Sequence, residues 1–600
     1  LTSLRAAVDA YGGELLPGSY SEWLLTERER LAQQYAALLE QLVDLCEERR
    51  AYAEAIACYE KMAAAWPQRF HVEAVGCTDS GEPLHTAVLS ADGVFDPVKI
   101  RLAGKRIVLI NNGIHPGEPE GIDATVLMLR DYLSQPVLPA LFDKLVLVVI
   151  PVYNVDGCLH RGSYSRANQE GPEAYGFRGN ARNYDLNRDF IKCDSRNART
   201  FNDIFRHWNP DIFVDTHTSN GADYQYTMTL IATQHEKLEA PLGTFLQETM
   251  LPALYATMQQ RGWEMIPYVD GPGETPDSGI MGFTDYGRYS TGYAALWNTI
   301  GFMPETHMLK PFKDRLESTR AFLETVLEFV AQHHEAIGEA RKAAFDKTRT
   351  KTTFALDYAM DTNRRDTLRF KGYEAKYKPS GVSGLPRLWY DRTAPYTKDI
   401  PYYNYFKPSA EVVRPVAYII PQAWESVIER LQINRVALTR LEQDISLETE
   451  TYYVRDFKTR NAWEGHYYHS AVQLETRIMT RDFRKGDYVV WMNQDANRYL
   501  METLEPHAPD SWFAWNFFEP ILMQKEYFSA YVFEDLAEDF LRENPSVQAA
   551  LEEKRKGDAA FAADAKLQLD WVYRQSPWYE PTHRMYPVAR IMAGAAEKLR

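Results

Sequence analysis

Ile107-Val108-Leu109-Ile110-Asn111-Asn112-Gly113-Ile114-His115-Pro116-Gly117-Glu118-Pro119-Glu120 is the stretch on which the reading of this chain turns. Its unbroken apolar start predicts a strand buried on both faces, as in parallel sheets, rather than a strand with one wet side. Asn-Gly and Pro-Gly then end that strand in a tight turn. The turn carries an imidazole at His115 and, three residues on, a carboxylate at Glu118. In open α/β sheets ligands gather beyond the carboxyl ends of the strands, so a site is expected here.

A second stretch repeats the theme. Asp211-Ile212-Phe213-Val214-Asp215-Thr216-His217 is another apolar strand ending in a histidine, followed by the polar turn Thr218-Ser219-Asn220-Gly221. Taken singly, His115-x-x-Glu118 reads as a surface turn and His217 as an ordinary strand-end histidine. Two parallel strands finishing at one sheet edge would bring His217 beside His115 and Glu118. Two imidazoles and one carboxylate with a fourth position open is the pattern of a catalytic zinc ion. One zinc is the expected cofactor.

Outward from this pair, the short apolar runs His85 to Leu89 and Leu145 to Val152 predict further strands. Between them Ile122, Val126, Leu129 and Leu133 form one stripe of a helix over 120–133. Helices near 242–261 and 314–342 complete an α/β layer, a sheet covered on both faces. Residues 1–68 read as a helical N-terminal extension, with Thr26-x-x-Glu29 as a capping box and Leu31, Leu38, Leu42 and Leu45 along one side. After about residue 346 prolines and aromatic clusters such as Tyr402-Tyr403-Asn404-Tyr405-Phe406 take over, with helical pieces after Phe533. This predicts a β-rich C-terminal accessory domain over 346–600, with the catalytic domain spanning 69–345.

Composition narrows the function. The 600 residues carry 67 Lys and Arg against 83 Asp and Glu, a net charge of −16, and no basic block that could track a phosphate backbone, which excludes nucleic acid as a partner. The longest strongly apolar run, Leu145 to Ile150, is a strand's length and far short of a membrane span. Five cysteines (Cys46, Cys58, Cys77, Cys158 and Cys193) with no Cys-x-x-Cys pair do not make a disulfide framework. The oligomeric state is not legible.

Between the two histidine motifs lies Gly179-Asn180-Ala181-Arg182-Asn183-Tyr184-Asp185-Leu186-Asn187-Arg188-Asp189-Phe190, a polar segment in which Arg188 beside Asn187 offers a fork for a carboxylate. The ordered set His115-x-x-Glu118, Asp185-Leu186-Asn187-Arg188 and His217 resembles the zinc carboxypeptidase family, the carboxypeptidase A clan. Tyr153-Asn154-Val155-Asp156-Gly157 is similar to that family's Asn-Pro-Asp-Gly turn, with Val155 in place of the proline. The resemblance covers roughly residues 70 to 340. It implies a mixed twisted sheet with helices on both faces. It also implies hydrolysis of the C-terminal amide bond of a peptide bearing a free terminal carboxylate, by a zinc-held water.

Site roles come from the same resemblance. Glu305, in Gly301-Phe302-Met303-Pro304-Glu305-Thr306-His307, matches the general base. Glu118 takes the metal, leaving Glu120 as a turn or helix-start residue. Asn187 and Arg188 match the pair that receives the terminal carboxylate, and Asp185 the carboxylate that orients His115. Arg182 is assigned to the oxyanion, with Arg178 as competitor. Tyr293 is chosen as the tyrosine covering substrate, with Tyr286 and Tyr289 as the other candidates. His307 is expected in a pocket wall, and His466 and His469 in a strand rather than a second metal site. Family habit and the start at Leu1 point to a periplasmic or extracellular protein. The competing readings are a same-clan amidase or deacylase and a non-catalytic binding protein on a peptidase fold.

Overall fold

Alternate residues of the central strands part into two apolar clusters, one on each face of the sheet. Ile107 and Leu109 join Val146, Val148, Ile150 and Phe213 on one side. Val108 and Ile110 join Leu147, Val149, Ile212 and Val214 on the other. A strand with a side-chain period of two and apolar residues throughout must be covered on both faces, and here it is. The computed structural model describes residues 23, 24, 27, 28, 30, 31, 34 and 52–599. The expected capping box at Thr26 and Glu29, with Leu38, Leu42 and Leu45, lies outside the described residues.

The sheet is built from β1 (Phe70–Cys77), β2 (Pro83–Leu89), β3 (Arg106–Asn111), β4 (Leu145–Ile150), β5 (Ile212–Asp215), β6 (His217–Ser219), β7 (Met228–Ala232), β8 (Met265–Pro267) and β9 (Ile300–His307). Its order is β1-β2-β4-β3-β5-β9-β7-β8, with β6 paired to β9. β3 runs parallel to β4 and β5, and β9 runs parallel to β5 and β6. β1, β2 and β7 supply the antiparallel pairings. The fold is thus the expected mixed α/β sheet.

Helices Glu120–Leu133 and Phe312–Gln332 pack on one face, through Val126, Leu129, Phe322 and Val326. Helix Arg196–Trp208 covers the other with Phe201, Ile204 and Phe205. The helix predicted near 314–342 is in fact two, Phe312–Gln332 and His334–Thr350, broken at His333.

The C-terminal region is β-rich, with long hairpins formed by Asp366–Pro379 with Pro386–Tyr403 and by Ile445–Thr459 with His469–Phe483. Helices Ala530–Glu543, Pro545–Gly557 and Ala565–Gln575 come after them. Part of its core is its own, around Ile419, Leu447 and Val489 and around Phe533, Leu551 and Tyr573, and part is shared. Tyr418, Ile420, Val490, Tyr499 and Trp512 belong to the same apolar cluster as Ile107 and Phe213, and helix His334–Thr350 runs across the expected boundary. Among the described residues no helix is long and apolar enough to cross a membrane.

Two registers position the site. Asn111 pairs with Asp215 across β3 and β5, so these strands end level. Glu305 pairs with His217 across β9 and β6. Gly113 then turns the chain at φ +66, where a Cβ would meet Ile122 Cδ1 at 2.9 Å. Glu120 is the first residue of its helix and is fully paired: it accepts from Arg315 Nε at 2.6 Å and from Thr218 Oγ1 at 2.8 Å. Arg315 is itself buried and also donates to the carbonyls of Met308, Lys310, Glu170 and Gly171. It therefore ties the His115 turn to the helix behind it. Arg315→Met is expected to lower unfolding free energy by about 3–5 kcal/mol, because it leaves a buried carboxylate unpaired. Denaturant unfolding checks this, and a loss below about 1 kcal/mol would contradict it.

Candidate metal centre

His115, Glu118 and His217 are buried, and their ligand atoms all lie within 4.8 Å of one another; among the described residues no other group of three or more His, Cys, Asp or Glu is placed to hold an ion. The Nδ1 atoms of both imidazoles face Glu118, at 3.3 Å from Oε1 for His115 and 3.2 Å from Oε2 for His217. The opposite nitrogens are each held by a carboxylate. His115 Nε2 is 2.9 Å from Asp185 Oδ1, and His217 Nε2 is 2.9 Å from Asp215 Oδ2. A carboxylate behind a ligating imidazole sets its tautomer and strengthens it as a donor. Buried His115 Nδ1 has no hydrogen-bond partner. A buried, unpaired nitrogen aimed at a second imidazole and a carboxylate fits a zinc ion with one position left open.

Cations surround the carboxylates. Arg166 Nη1 donates to Glu118 Oε1 at 2.9 Å, and Arg178 Nη1 lies 3.6 Å from the same oxygen. Although burial raises the Glu118 pKa, the His115 imidazole and Arg166 hold it well below the usual carboxylate range. Asp185 is likewise held far down against burial by His115 and by Arg178, whose Nη2 is 2.8 Å from Asp185 Oδ2. His217 is pushed up despite burial, chiefly by Asp215. Glu305 goes the other way: burial, with the nearby Glu118 charge, raises it to about 8.

A cavity of about 520 Å³ opens over the centre. His115, Glu118 and His217 line it together with Arg178, Asn187, Arg188, Tyr289 and Glu305. Apolar walls are supplied by Ile231, Phe283, Met303 and Met308. Asn187 is oriented from both sides: its backbone N–H donates to Asp185 Oδ1 at 2.9 Å, and its Oδ1 accepts from Ser290 N at 3.2 Å. The Arg188 guanidinium lies 4.7 Å from the centre of the Tyr289 ring.

Two expected residues are not brought to the cavity. Arg182 turns outward, its Nη2 on Tyr184 Oη at 3.0 Å, and takes no part in the lining. Arg178 stands in the cavity instead, because Asn154 Nδ2 holds its carbonyl at 2.9 Å and Asp185 its guanidinium. Tyr293 is fully buried among Phe190, Phe201 and Phe205, with its hydroxyl donating to Asn434 Oδ1 at 2.6 Å. Tyr286 is also off the lining, which leaves Tyr289 of the three candidates.

Other residues find structural places. His307 is a buried residue on the Ala222 carbonyl, and is not in the lining. His466 is held by Asp194 and Asn516, and His469 lies between Thr459 and Glu519, so neither joins a metal cluster. Asp215, Arg166 and Tyr268 were not singled out from the sequence. Asp215 had a usable signal, since it sits two residues before His217 and shares its side of an extended chain. Arg166 and Tyr268 had none.

Residues 55–237 match the family described as zinc carboxypeptidase. Carboxypeptidase 2 of Trichophyton equinum is 23% identical over 437 residues, covering 68% of this chain and 72% of that protein. Carboxypeptidase 2 of Trichophyton rubrum is 22% identical over 430 residues, with the same shares. Among solved structures, carboxypeptidase A of Helicoverpa armigera has a TM-score of 0.36 at 14% identity, covering 51% of this chain and 81% of that one. A metallo-carboxypeptidase of Burkholderia cenocepacia has a TM-score of 0.34 at 17% identity, covering 47% and 68%.

Asp215→Asn is expected to weaken zinc binding about 10–100-fold, as loss of an imidazole's carboxylate partner does elsewhere. Competition against a chelator of known affinity measures it, and unchanged affinity would contradict the role given to Asp215.

Proposed function

We propose that this chain is a zinc metallopeptidase of the zinc carboxypeptidase family and that it removes the last residue of peptides carrying a free terminal carboxylate. The observation that carries the proposal is the shared cavity. The three candidate metal ligands, Glu305 and the Asn187–Arg188 pair line one space of about 520 Å³. His115, Glu118 and His217 would hold one zinc ion. When bound, zinc supplies Lewis acidity towards a carbonyl and makes water more acidic.

The chain's own residues do the rest. Arg188 and Asn187 receive the terminal carboxylate, so that only the final amide bond reaches the centre. Glu305 takes the proton of the attacking water and later delivers it to the leaving amine. Its burial, which raises its proton affinity, suits a group that must hold that proton between the two steps. Arg178 stabilises the negative charge that develops on the carbonyl oxygen, as a donor already in place; such a donor is worth on the order of 3 kcal/mol. Tyr289, against Arg188, closes the carboxylate end of the cavity.

Glu305→Gln is expected to keep its zinc content while kcat/KM on a free-acid peptide falls at least about 100-fold. Elemental analysis and steady-state kinetics check the two halves, and a loss of less than tenfold would contradict the base assignment. The same assay on a C-terminally amidated peptide tests the exopeptidase reading, which equal cleavage of acid and amide would overturn.

A further inference from the structure

The carboxylate end of the cavity is made by two segments, Asp185 to Arg188 and Phe283 to Ser290, and both are gripped from behind by the C-terminal region. Asp510, 2% exposed, accepts from the backbone N–H of Arg288 through Oδ2 at 2.8 Å. Its Oδ1 lies 2.9 Å from Arg288 Nε and also accepts from Trp515 Nε1 at 3.0 Å. The Arg288 guanidinium sits among the rings of Trp463, Tyr468 and Trp515, each 5.2 Å away, and that of Tyr286 at 5.0 Å. Arg288 is therefore a neutralised anchor and does not face substrate.

The two residues after Arg288 reach the carboxylate-binding pair. Tyr289 places its ring 4.7 Å from the Arg188 guanidinium, and Ser290 N donates to Asn187 Oδ1. On the other segment, Asp185 N donates to Glu464 Oε2 at 3.0 Å, and Lys192 Nζ donates to the Glu464 carbonyl at 3.2 Å. His466 and Arg430 hold Asp194, at 2.6 Å and 2.8 Å. Of these contacts, those of Asp510 with Arg288 and of Glu464 with Asp185 fall next to, or on, residues that hold Asn187 and Arg188.

We propose that the C-terminal region acts as a clamp on the carboxylate-binding pair, with Asp510 as a positioning residue that works through Arg288, Tyr289 and Ser290. This rests on the exopeptidase reading given above. A buried ion pair contributes little net stability over an apolar pair of the same size, and its best-attested use is to fix register. Here it fixes a loop whose next two residues touch Arg188 and Asn187. The role assigned to the C-terminal region is therefore substrate capture. Asp510 lies behind the cavity, off its lining.

The test uses the full chain loaded with zinc. Asp510→Asn breaks the pair, and the double change Arg288→Met with Asp510→Leu replaces it by an apolar contact that keeps the interior uncharged. For an N-acyl dipeptide with a free carboxylate, KM is expected to rise about tenfold with kcat within about twofold, the signature of lost uniform binding. Product inhibition by the released amino acid should weaken by the same factor, with zinc content unchanged. Unchanged KM in a folded, zinc-loaded variant overturns the proposal. So does a fall in kcat with loss of zinc, or failure of both variants to fold, since either marks the pair as a stability element. A wild-type enzyme that leaves the free-acid dipeptide intact fails in a different place: it removes the exopeptidase reading itself.

Discussion

Everything in this structure is arranged around two imidazoles that must present the same nitrogen to one buried carboxylate. His115 and His217 come from strands over a hundred residues apart in the chain, and only the level ends of β3 and β5 make them neighbours. Each ring is then locked from behind, by Asp185 and by Asp215, so that its Nδ1 faces Glu118. Without those two carboxylates each ring could turn, and the choice between its two nitrogens would be lost. Ring orientation, strand register and second carboxylate are a single constraint.

That constraint has electrostatic consequences. Bringing Glu118, Asp185, Asp215 and Glu305 into one buried region is unfavourable unless positive charge comes with them. Arg166 and Arg178 supply part of it at Glu118, and the proposed zinc ion would supply more. Glu305 is the carboxylate left with the least compensation, and its raised proton affinity is the result. The same side chain that burial disfavours as an anion is the one placed to accept a proton. Charge is thus distributed by position: burial raises Glu305, the proposed base, while cations hold Glu118, the candidate ligand, well below the usual carboxylate range.

Much of this was legible in the sequence, and the remainder was hidden for physical reasons. The strands and the three candidate ligands could be read because apolar runs ending in turns state both a strand and where it stops. The choice between Arg178 and Arg182 could not be read. Both lie in one polar segment, and the outcome is decided by Asn154, which grips the Arg178 carbonyl from a turn 24 residues away. Three tyrosines within eight residues are equally hard to rank, because spacing does not say that the short helix Ser290–Ala295 turns Tyr293 into the core. The C-terminal region carried the least signal of all. Its bond from Asp510 to Arg288 spans 222 positions, and no local pattern announces a contact at that range. Reading it as an accessory domain rested on its change of texture; some of its apolar residues share a cluster with β3 and β5, and others form clusters of their own.

The most direct test is the anomalous difference map of crystals grown with zinc and measured at its absorption edge. The account predicts one strong peak about 2.0–2.1 Å from the Nδ1 atoms of both His115 and His217, in bonding contact with Glu118 and with one coordination position left to solvent. A peak bound through the Nε2 atoms, a peak elsewhere, or no peak at saturating zinc would contradict it.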